Sequence, residues 1–514
     1  MQQSKFWLLH EITTIASRYC TNAPAIQQHT AGYPILPENR ILTAIVEFVL
    51  EGATMVHDHA LVIGASISGL ATAHILSHYF AQVTIIERDR LPESIEVRAG
   101  LPQARHLHLL LMRGAHELER LFPGIGQALV AQGAQDIDLM HDYRYLMAGG
   151  WAKPHQSTHR TISASRPLYD WVLLQRLRQN PKIRIESQTD VLGLVGDLRH
   201  VRGINTKRRD TGVEQQFLAE MIVDCSGRSS KLDQWLQALG SPQVPETSVA
   251  SNIGYCSRIY AKPAGWNEWK GLFVRQQPLV NPRGAILTEI EGERWIVTCG
   301  GFNQAKPPLE EGEWLNWLKQ LRSPIMYELL SQAQALSPLV GFGRTENRQR
   351  HYEQIAMPAG IVALGDAVCA FNPIYGQGIS NATIGALLLD QQLKQQDRGA
   401  AAWGQRFQQA LAKSNLFPWS LAVGEDARYN PSVKRSFGAT LRRHYFDQIN
   451  LATSSNPVVL NRFTPVVHMT ASPTELLRPS MLWQVIKGRL QRQPAAANTP
   501  PIPHQLNVNT INNA

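Results

Sequence analysis

Cysteine is scarce in this 514-residue sequence: five residues, at positions 20, 225, 256, 299 and 369, odd in number and never arranged as Cys-x-x-Cys. Such spacing offers neither a disulfide framework nor a zinc site, and it fits a reducing compartment, so a cytoplasmic chain is expected. Long apolar runs are missing too. The best candidate, Ile41 to Val56, is broken by Glu47 and Glu51 and falls short of the ~20 residues a spanning helix needs. Near the start, the apolar cluster Phe6 to Leu9 ends at His10 and Glu11 without a cleavage site, which is unlike a signal peptide. No basic block interleaved with aromatics occurs, and the Arg pairs at 208–209 and 442–443 read as solvated faces, so nucleic acid is not an expected partner. The cationic surplus is mild, +9 from 50 Lys and Arg against 41 Asp and Glu, and is consistent with anionic cofactors, anionic lipid or no specific partner. His106 and His108 lack an acidic or Cys partner at ligand spacing, so no metal is expected.

What is present is ordinary folded protein, 44% apolar and 18% charged, on a chain longer than one core usually covers. Ala60 to Ile63 reads as a buried parallel strand, Ser68 to Tyr79 as a helix, and Val83 to Ile86 as a second β-branched strand: a β-α-β unit. Further apolar strands are expected at Glu220 to Asp224 and Gly360 to Leu364, whereas Arg184 to Glu186 and Val191 to Val195 resemble strands of an intervening sheet. Strands at Gly284 to Ile290 and Arg294 to Cys299, with a helix near Trp314 to Leu321, suit a substrate-covering sheet. The fold expected is α/β, with a discontinuous Rossmann-like nucleotide domain (56–135, 160–245 and 345–400), an inserted mixed-sheet substrate domain (136–159 and 246–344) and a C-terminal helical region (401–492). Residues 1–55 are expected to form a helical arm, with Met55 as an alternative natural start, and 493–514 a disordered tail.

After the first strand comes Gly64-Ala65-Ser66-Ile67-Ser68-Gly69, in which Gly64 makes the tight turn, Ser66 stands where a second Gly lets backbone approach a pyrophosphate, and Gly69 lets helix and strand pack closely. The pyrophosphate of a dinucleotide sits on the positive end of the helix that follows. Glu87 answers 23 residues after Gly64, at the end of the second strand, where an acid accepts hydrogen bonds from the ribose hydroxyls of an adenosine. Arg88 follows it as a further cofactor candidate. A second element, Ala363-Leu364-Gly365-Asp366-Ala367, leads into Phe371-Asn372-Pro373-Ile374-Tyr375-Gly376-Gln377-Gly378 and an expected helix from Ile379 to Leu389.

This pattern resembles the GD motif and ring-facing loop of the para-hydroxybenzoate hydroxylase class of flavin monooxygenases. The resemblance implies FAD, with Asp366 on a ribityl hydroxyl and Pro373, Gly376, Gln377 and Gly378 beside the isoalloxazine. Free N–H groups at a helix start favour the negative charge that reduced flavin carries there. The segment Val97-Arg98-Ala99-Gly100-Leu101-Pro102-Gln103-Ala104-Arg105-His106-Leu107-His108 resembles most closely the bacterial polyether epoxidases of the lasalocid and monensin type, relatives of squalene epoxidase. Val223 to Ser230, Arg294 to Thr298 and Gly424-Glu425-Asp426 extend the likeness to roughly residues 58–490. It implies that Arg98 and Gln103 approach FAD, while Arg113 either meets the phosphates or is a solvated helix charge. The class carries an Asp-Gly dipeptide associated with FAD and NAD(P)H; here the match is Ser226-Gly227, with Asp224 two positions earlier, which leaves open whether NAD(P)H or a separate reductase supplies electrons.

The activity so implied is insertion of one oxygen atom from O2, by epoxidation or hydroxylation through a flavin C4a-hydroperoxide, into a hydrophobic polyene, isoprenoid or polyketide-like molecule. Electrophilic oxygen transfer needs no side-chain nucleophile, and the sequence shows neither a Ser-His-Asp nor a paired-carboxylate signature. Tyr375 is the candidate for contact with the reacting region, and Trp266, Trp269, Phe273, Trp295 and Phe302 are candidates for an apolar cavity wall, the alternative for each being plain core. Two other readings stay open: a flavin-dependent double-bond reductase acting on prenyl lipids, and a non-catalytic flavoprotein subunit. A halogenase is disfavoured because Trp314-Leu315-Asn316-Trp317 has the wrong spacing for W-x-W-x-I-P. Peripheral membrane contact, through the arm and a basic helix near Lys487 and Arg489, is a compositional expectation.

Overall fold

The computed structural model describes residues 58–278, 280–395, 402–429 and 437–490. The expected arm, the alternative start at Met55 and the expected tail lie outside the described residues.

Strand β1 (His59–Ile63) is buried along its whole length, helix α1 (Ile67–Leu76) follows the glycine turn, and β2 (Gln82–Ile86) returns parallel to β1 with Ile63 opposite Ile86. Helix α2 (Arg166–Arg178) then leads to β3 (Ile183–Glu186), β4 (Met221–Asp224) and β5 (Ile361–Ala363). These five strands form one parallel sheet in the order β5-β4-β1-β2-β3. Continuous burial explains why β1, β4 and β5 read as unbroken apolar runs. The expected place of Arg184 to Glu186 in an intervening sheet is corrected: β3 is the edge strand of the main sheet, Ile185 pairing with Ile85. Its alternating Arg184 and Glu186 reflect one solvent-facing edge, not a separate layer. Val191 to Val195 does lie in a different sheet, three antiparallel strands at Thr189–Gly196, Val201–Arg208 and Glu214–Leu218.

A seven-stranded mixed sheet is built from Tyr143–Met147, Gly150–Trp151, Ile253–Ala261, Gly271–Val274, Arg283–Ile290, Arg294–Phe302 and Val340–Phe342. Its two faces differ. Leu272, Val274, Leu287, Trp295, Val297 and Cys299 project to one side, where Trp266, Trp269, Trp314, Trp317 and Met326 complete a closed core. Trp266, Trp269 and Trp295 are therefore core, not cavity wall: their rings pack within 4.7–5.9 Å of one another, and the indole N–H of Trp266 donates to the Trp269 carbonyl. Phe273 lies on the other face, half-buried near Tyr145, while Phe302 is buried against Tyr429. Helix α3 (Gln377–Leu393) packs on α1, and from there the chain is helical: α4 (Trp403–Asp426), helices at Phe437–Ala452 and Pro457–Val467, and α5 (Pro479–Leu490).

Candidate functional site

The carboxyl ends of β2, β1, β4 and β5 place Glu87, Gly64, Cys225 and Gly365 side by side, where an α/β sheet presents a ligand site. Gly64 has φ +101°, and a Cβ there would stand 2.7 Å from the Cys225 carbonyl oxygen. At Gly69 a Cβ would come within 1.8 Å of the Gly64 carbonyl oxygen, so helix and turn touch backbone to backbone. Ser66 is the residue at the start of α1, in extended conformation, and its hydroxyl accepts a hydrogen bond from Arg166 at 2.8 Å. That guanidinium is held at 3.0 Å by Asp170 one turn along α2. Arg166 is a cation at the pyrophosphate end of the site that the sequence reading did not single out. The only local signal was Ser165, whose side chain caps α2, followed by Arg and Pro.

Glu87 is buried, and its carboxylate accepts from the Ala65 N–H at 2.6 Å and the Asp89 N–H at 2.9 Å, with Arg98 at 3.4 Å. It therefore ties the glycine loop, the end of β2 and the loop after it into one unit. Asp89 accepts from the Gly100 N–H at 3.1 Å, closing that loop, while Arg88 lies exposed with its guanidinium 3.4 Å from the Gly100 carbonyl. Gln103 sits half-buried on the short helical turn Pro102–Arg105. Arg113 is paired at 2.5 Å with Glu117 of its own helix, although the next residue, Gly114, abuts Ser380 of α3.

Gly365 takes φ +67° and packs on Ser68 of α1, which joins the second motif to the first. Asp366 follows, 3.9 Å from Arg228, whose guanidinium also donates to the Phe371 carbonyl and, at 2.9 Å, to the Glu346 carbonyl. Asn372 caps the turn Pro373–Tyr375 by accepting from the Ile374 N–H, and Gly376, φ +67°, reverses the chain into α3. The Tyr375 hydroxyl donates to Asp426 at 2.6 Å. Asp224, fully buried, spends its carboxylate on its own loop: it accepts from the Ser226 N–H at 2.9 Å, the Ser226 hydroxyl at 2.6 Å and the Ser230 hydroxyl. It does not substitute for the acid missing from Ser226-Gly227.

His106 and His108 serve as neutral hydrogen-bonding groups. Burial lowers them to about 4 and about 3, Nδ1 of His106 lies 2.8 Å from the Ser257 hydroxyl, and His108 Nδ1–H donates to the His106 carbonyl at 3.0 Å. Among the described residues no cluster of His, Cys, Asp and Glu suits a metal ion.

A dinucleotide-linked ring fits what this site leaves open. Gln377, 1% exposed, opens α3 with both amide atoms unpartnered, and the Arg98 Nε and the Ser380 hydroxyl are also buried without partners. A Cβ at Gly378 would meet nothing within 4 Å, so this stretch of backbone borders free space. FAD would be held by the α1 N-terminus and Arg166 at its pyrophosphate, Glu87 at its ribose, and Asp366 with the loop through Gly378 at its ribityl chain and ring.

The model of the FAD binding domain family matches residues 58–404. Protein Rv3254 of Mycobacterium tuberculosis is 31% identical over 424 residues, covering 79% of this chain and 88% of that protein. Squalene monooxygenase SE1 of Panax ginseng is 26% identical across 64% of this chain and 57% of that enzyme, a more distant likeness. The flavin-dependent brominase Bmp2 shares the fold, with TM-score 0.59 and 14% identity, over 85% of this chain and all of that one. The family match spans the glycine turn, Glu87 and the ring-facing loop, and on that ground the chain belongs to the FAD binding domain family of flavin-dependent oxidoreductases.

Proposed function

We propose that the protein is a monooxygenase that places one oxygen atom from O2 into a hydrophobic polyene, isoprenoid or polyketide-like molecule. The observation that carries this reading is the composition of the sheet face beneath the ring-facing loop. Tyr145, Phe273 and Ile286 stand opposite one another on three neighbouring strands, all half-buried, with Leu109 and Phe417 packed nearby. Gly284 and Gly300 are paired on the same face, and a Cβ at Gly300 would lie 3.4 Å from the Ile374 side chain of the loop. The wall is thus largely apolar where the loop comes down on it, with the Gln276 side chain against the same two glycines and Thr298 opposite Ile286 as its polar members.

Bound FAD, once reduced, supplies the activation of O2. The chain's own work is to orient and to exclude water: the N-terminal N–H groups of α3 would face the ring, and the largely apolar wall would hold the alkene or arene beside it. The balance is substrate, O2, two electrons and two protons in; oxygenated product and water out. NAD(P)H or a partner reductase provides the electron pair, and the commitment of Asp224 to its own loop favours the partner. In assays with candidate polyenes and a reducing system, we expect a product heavier by one oxygen. A gain of two hydrogens would instead support a double-bond reductase, and peroxide alone under every substrate would end the oxygenase reading.

A lipophilic substrate also gives a purpose to α5. Met481, Val485 and Gly488 face inward, while Leu482, Trp483, Ile486 and Leu490 are exposed on the other side, Trp483 by 63% and Leu490 by 81%, next to Lys487 and Arg489. No helix among the described residues is long and apolar enough to cross a membrane. Exposed Trp and Leu beside cations suit the surface of an anionic bilayer. The protein is expected to sediment with vesicles containing phosphatidylglycerol, and W483A/I486A to remain in the supernatant. Equal sedimentation of both would refute this contact.

A further inference from the structure

The ring-facing loop contains a single helical turn, yet it sets the start of α3. What holds it is a buried polar cluster drawn from three distant parts of the chain. Asp426, 3% exposed at the end of α4, accepts from the Asn372 Nδ2 at 2.8 Å and the Tyr375 hydroxyl at 2.6 Å on one oxygen, and from the Asn347 Nδ2 at 2.6 Å on the other. Among the described ion pairs none involves Asp426, so hydrogen bonds alone offset its desolvation.

Both amides are locked in direction by backbone. The Asn372 N–H donates to Asn347 Oδ1 at 2.8 Å, which leaves the Asn347 NH2 to face Asp426. The Ile374 N–H donates to Asn372 Oδ1 at 3.2 Å, which turns the Asn372 NH2 the same way. Neither amide can flip without setting its NH2 against a backbone N–H. Position 426 must therefore accept on both oxygens at once, as only an ionised carboxylate does; an asparagine would oppose an NH2 to an NH2.

We propose that Asp426 is the positioning residue of the ring-facing loop, and that its ionised form sets the environment of the flavin through Asn372 and Tyr375. Protonation adds a donor to a group surrounded by donors, and only the rotatable Tyr375 hydroxyl can turn to accept it, so Tyr375 is the first contact to rearrange. Burial raises Asp426 to about 6, with Glu425 adding repulsion and its three donors opposing. The other groups around it are engaged: Arg275 and Arg428 with Glu425, Arg428 also with Asp447, and, near Asn347 in the chain, Arg348 and Arg350 with Glu246 and Glu346 with Arg228. Tyr375 and Tyr429 are both held neutral by burial. The sign follows: the clamp is complete above about 6 and loosens as pH falls through it, while between 3.8 and about 6 the folded chain holds a proton that the unfolded chain has released.

The test is the visible spectrum of the FAD-loaded protein, with its FAD dissociation constant from fluorescence, between about pH 5 and about pH 8. Wild type is expected to show a one-proton spectral transition near the Asp426 value. E425Q should keep that transition and move it to lower pH by removing a like charge. Y375F should fold and bind FAD but lose the transition, and D426N should lose it and bind FAD about tenfold more weakly. A flat wild-type spectrum over this range, or a Y375F protein whose transition is unchanged, would overturn the proposal. So would a D426N protein that melts lower but keeps the wild-type dissociation constant, since that is a structural role alone.

Discussion

Gly69→Ala is expected to yield protein that purifies without flavin and binds added FAD at least about a hundredfold more weakly, about 2.8 kcal/mol. The reason is contact, not flexibility. The added methyl would lie 1.8 Å from the Gly64 carbonyl oxygen and 2.8 Å from its carbon, so α1 must move off the turn. Displacing the helix start removes the N–H groups that would receive the pyrophosphate. Gly378→Ala is the informative comparison: its methyl meets nothing within 4 Å in the protein, so unfolding without FAD should be unchanged while FAD affinity falls. Fluorescence titration with FAD, beside thermal unfolding of the apoprotein, separates the two. Wild-type affinity in G69A would contradict the placement of the dinucleotide on α1.

The second large effect is expected at Glu87. Its side chain and that of Arg98 are 8% and 4% exposed, and removing the carboxylate strands a buried guanidinium together with the N–H groups of Ala65 and Asp89. Breaking such a pair from one side costs ~3–5 kcal/mol. E87A should therefore unfold at markedly lower denaturant and lose most of the stabilisation that FAD confers, with E87Q intermediate because an amide oxygen can accept from only some of these donors. Denaturant unfolding with and without FAD measures both. An E87A protein as stable as wild type would mean that Arg98 finds another acceptor and that the loop is not tied through Glu87.

The nucleotide half of the fold was legible because its signals are local. Apolar runs marked β1, β4 and β5, and the glycines of the turn sit where the backbone permits nothing larger. The edge strand β3 was misplaced because its polar alternation is that of any half-exposed strand, and only its pairing with β2 identifies its sheet. The tryptophans were open to two readings because strand periodicity tells which residues share a face but not which face meets the cofactor. Three-dimensional pairing decides it: Trp295 faces the helices at Glu311–Leu318 and Ile325–Leu330, and Ile286 faces the loop side. Arg166 was not singled out, and Asp426 stood only within a matching stretch without an assigned role, for a different reason. Arg166 acts on a residue 100 positions away, and Asp426 on partners 51, 54 and 79 positions away, so no spacing rule connects them.

The departure at Ser226-Gly227 gains meaning from the same geometry. Asp224 stands close in sequence to the position of the missing acid, yet its three hydrogen bonds close the loop that carries Arg228 to Asp366 and the Phe371 carbonyl. The region thus retains an arginine against Asp366 and the Phe371 carbonyl while its acid is turned inward.

The proposed reaction passes oxygen from the flavin on this scaffold to an apolar molecule held against Tyr145, Phe273 and Ile286. The most direct measurement is single turnover of the chemically reduced, FAD-loaded protein with a polyene under isotopically heavy O2, with the product analysed by mass. The product is expected to carry one heavy oxygen atom, in a yield that falls when Phe273 is replaced by a charged residue. A product that gains only hydrogen, or oxygen that comes from water, would contradict it.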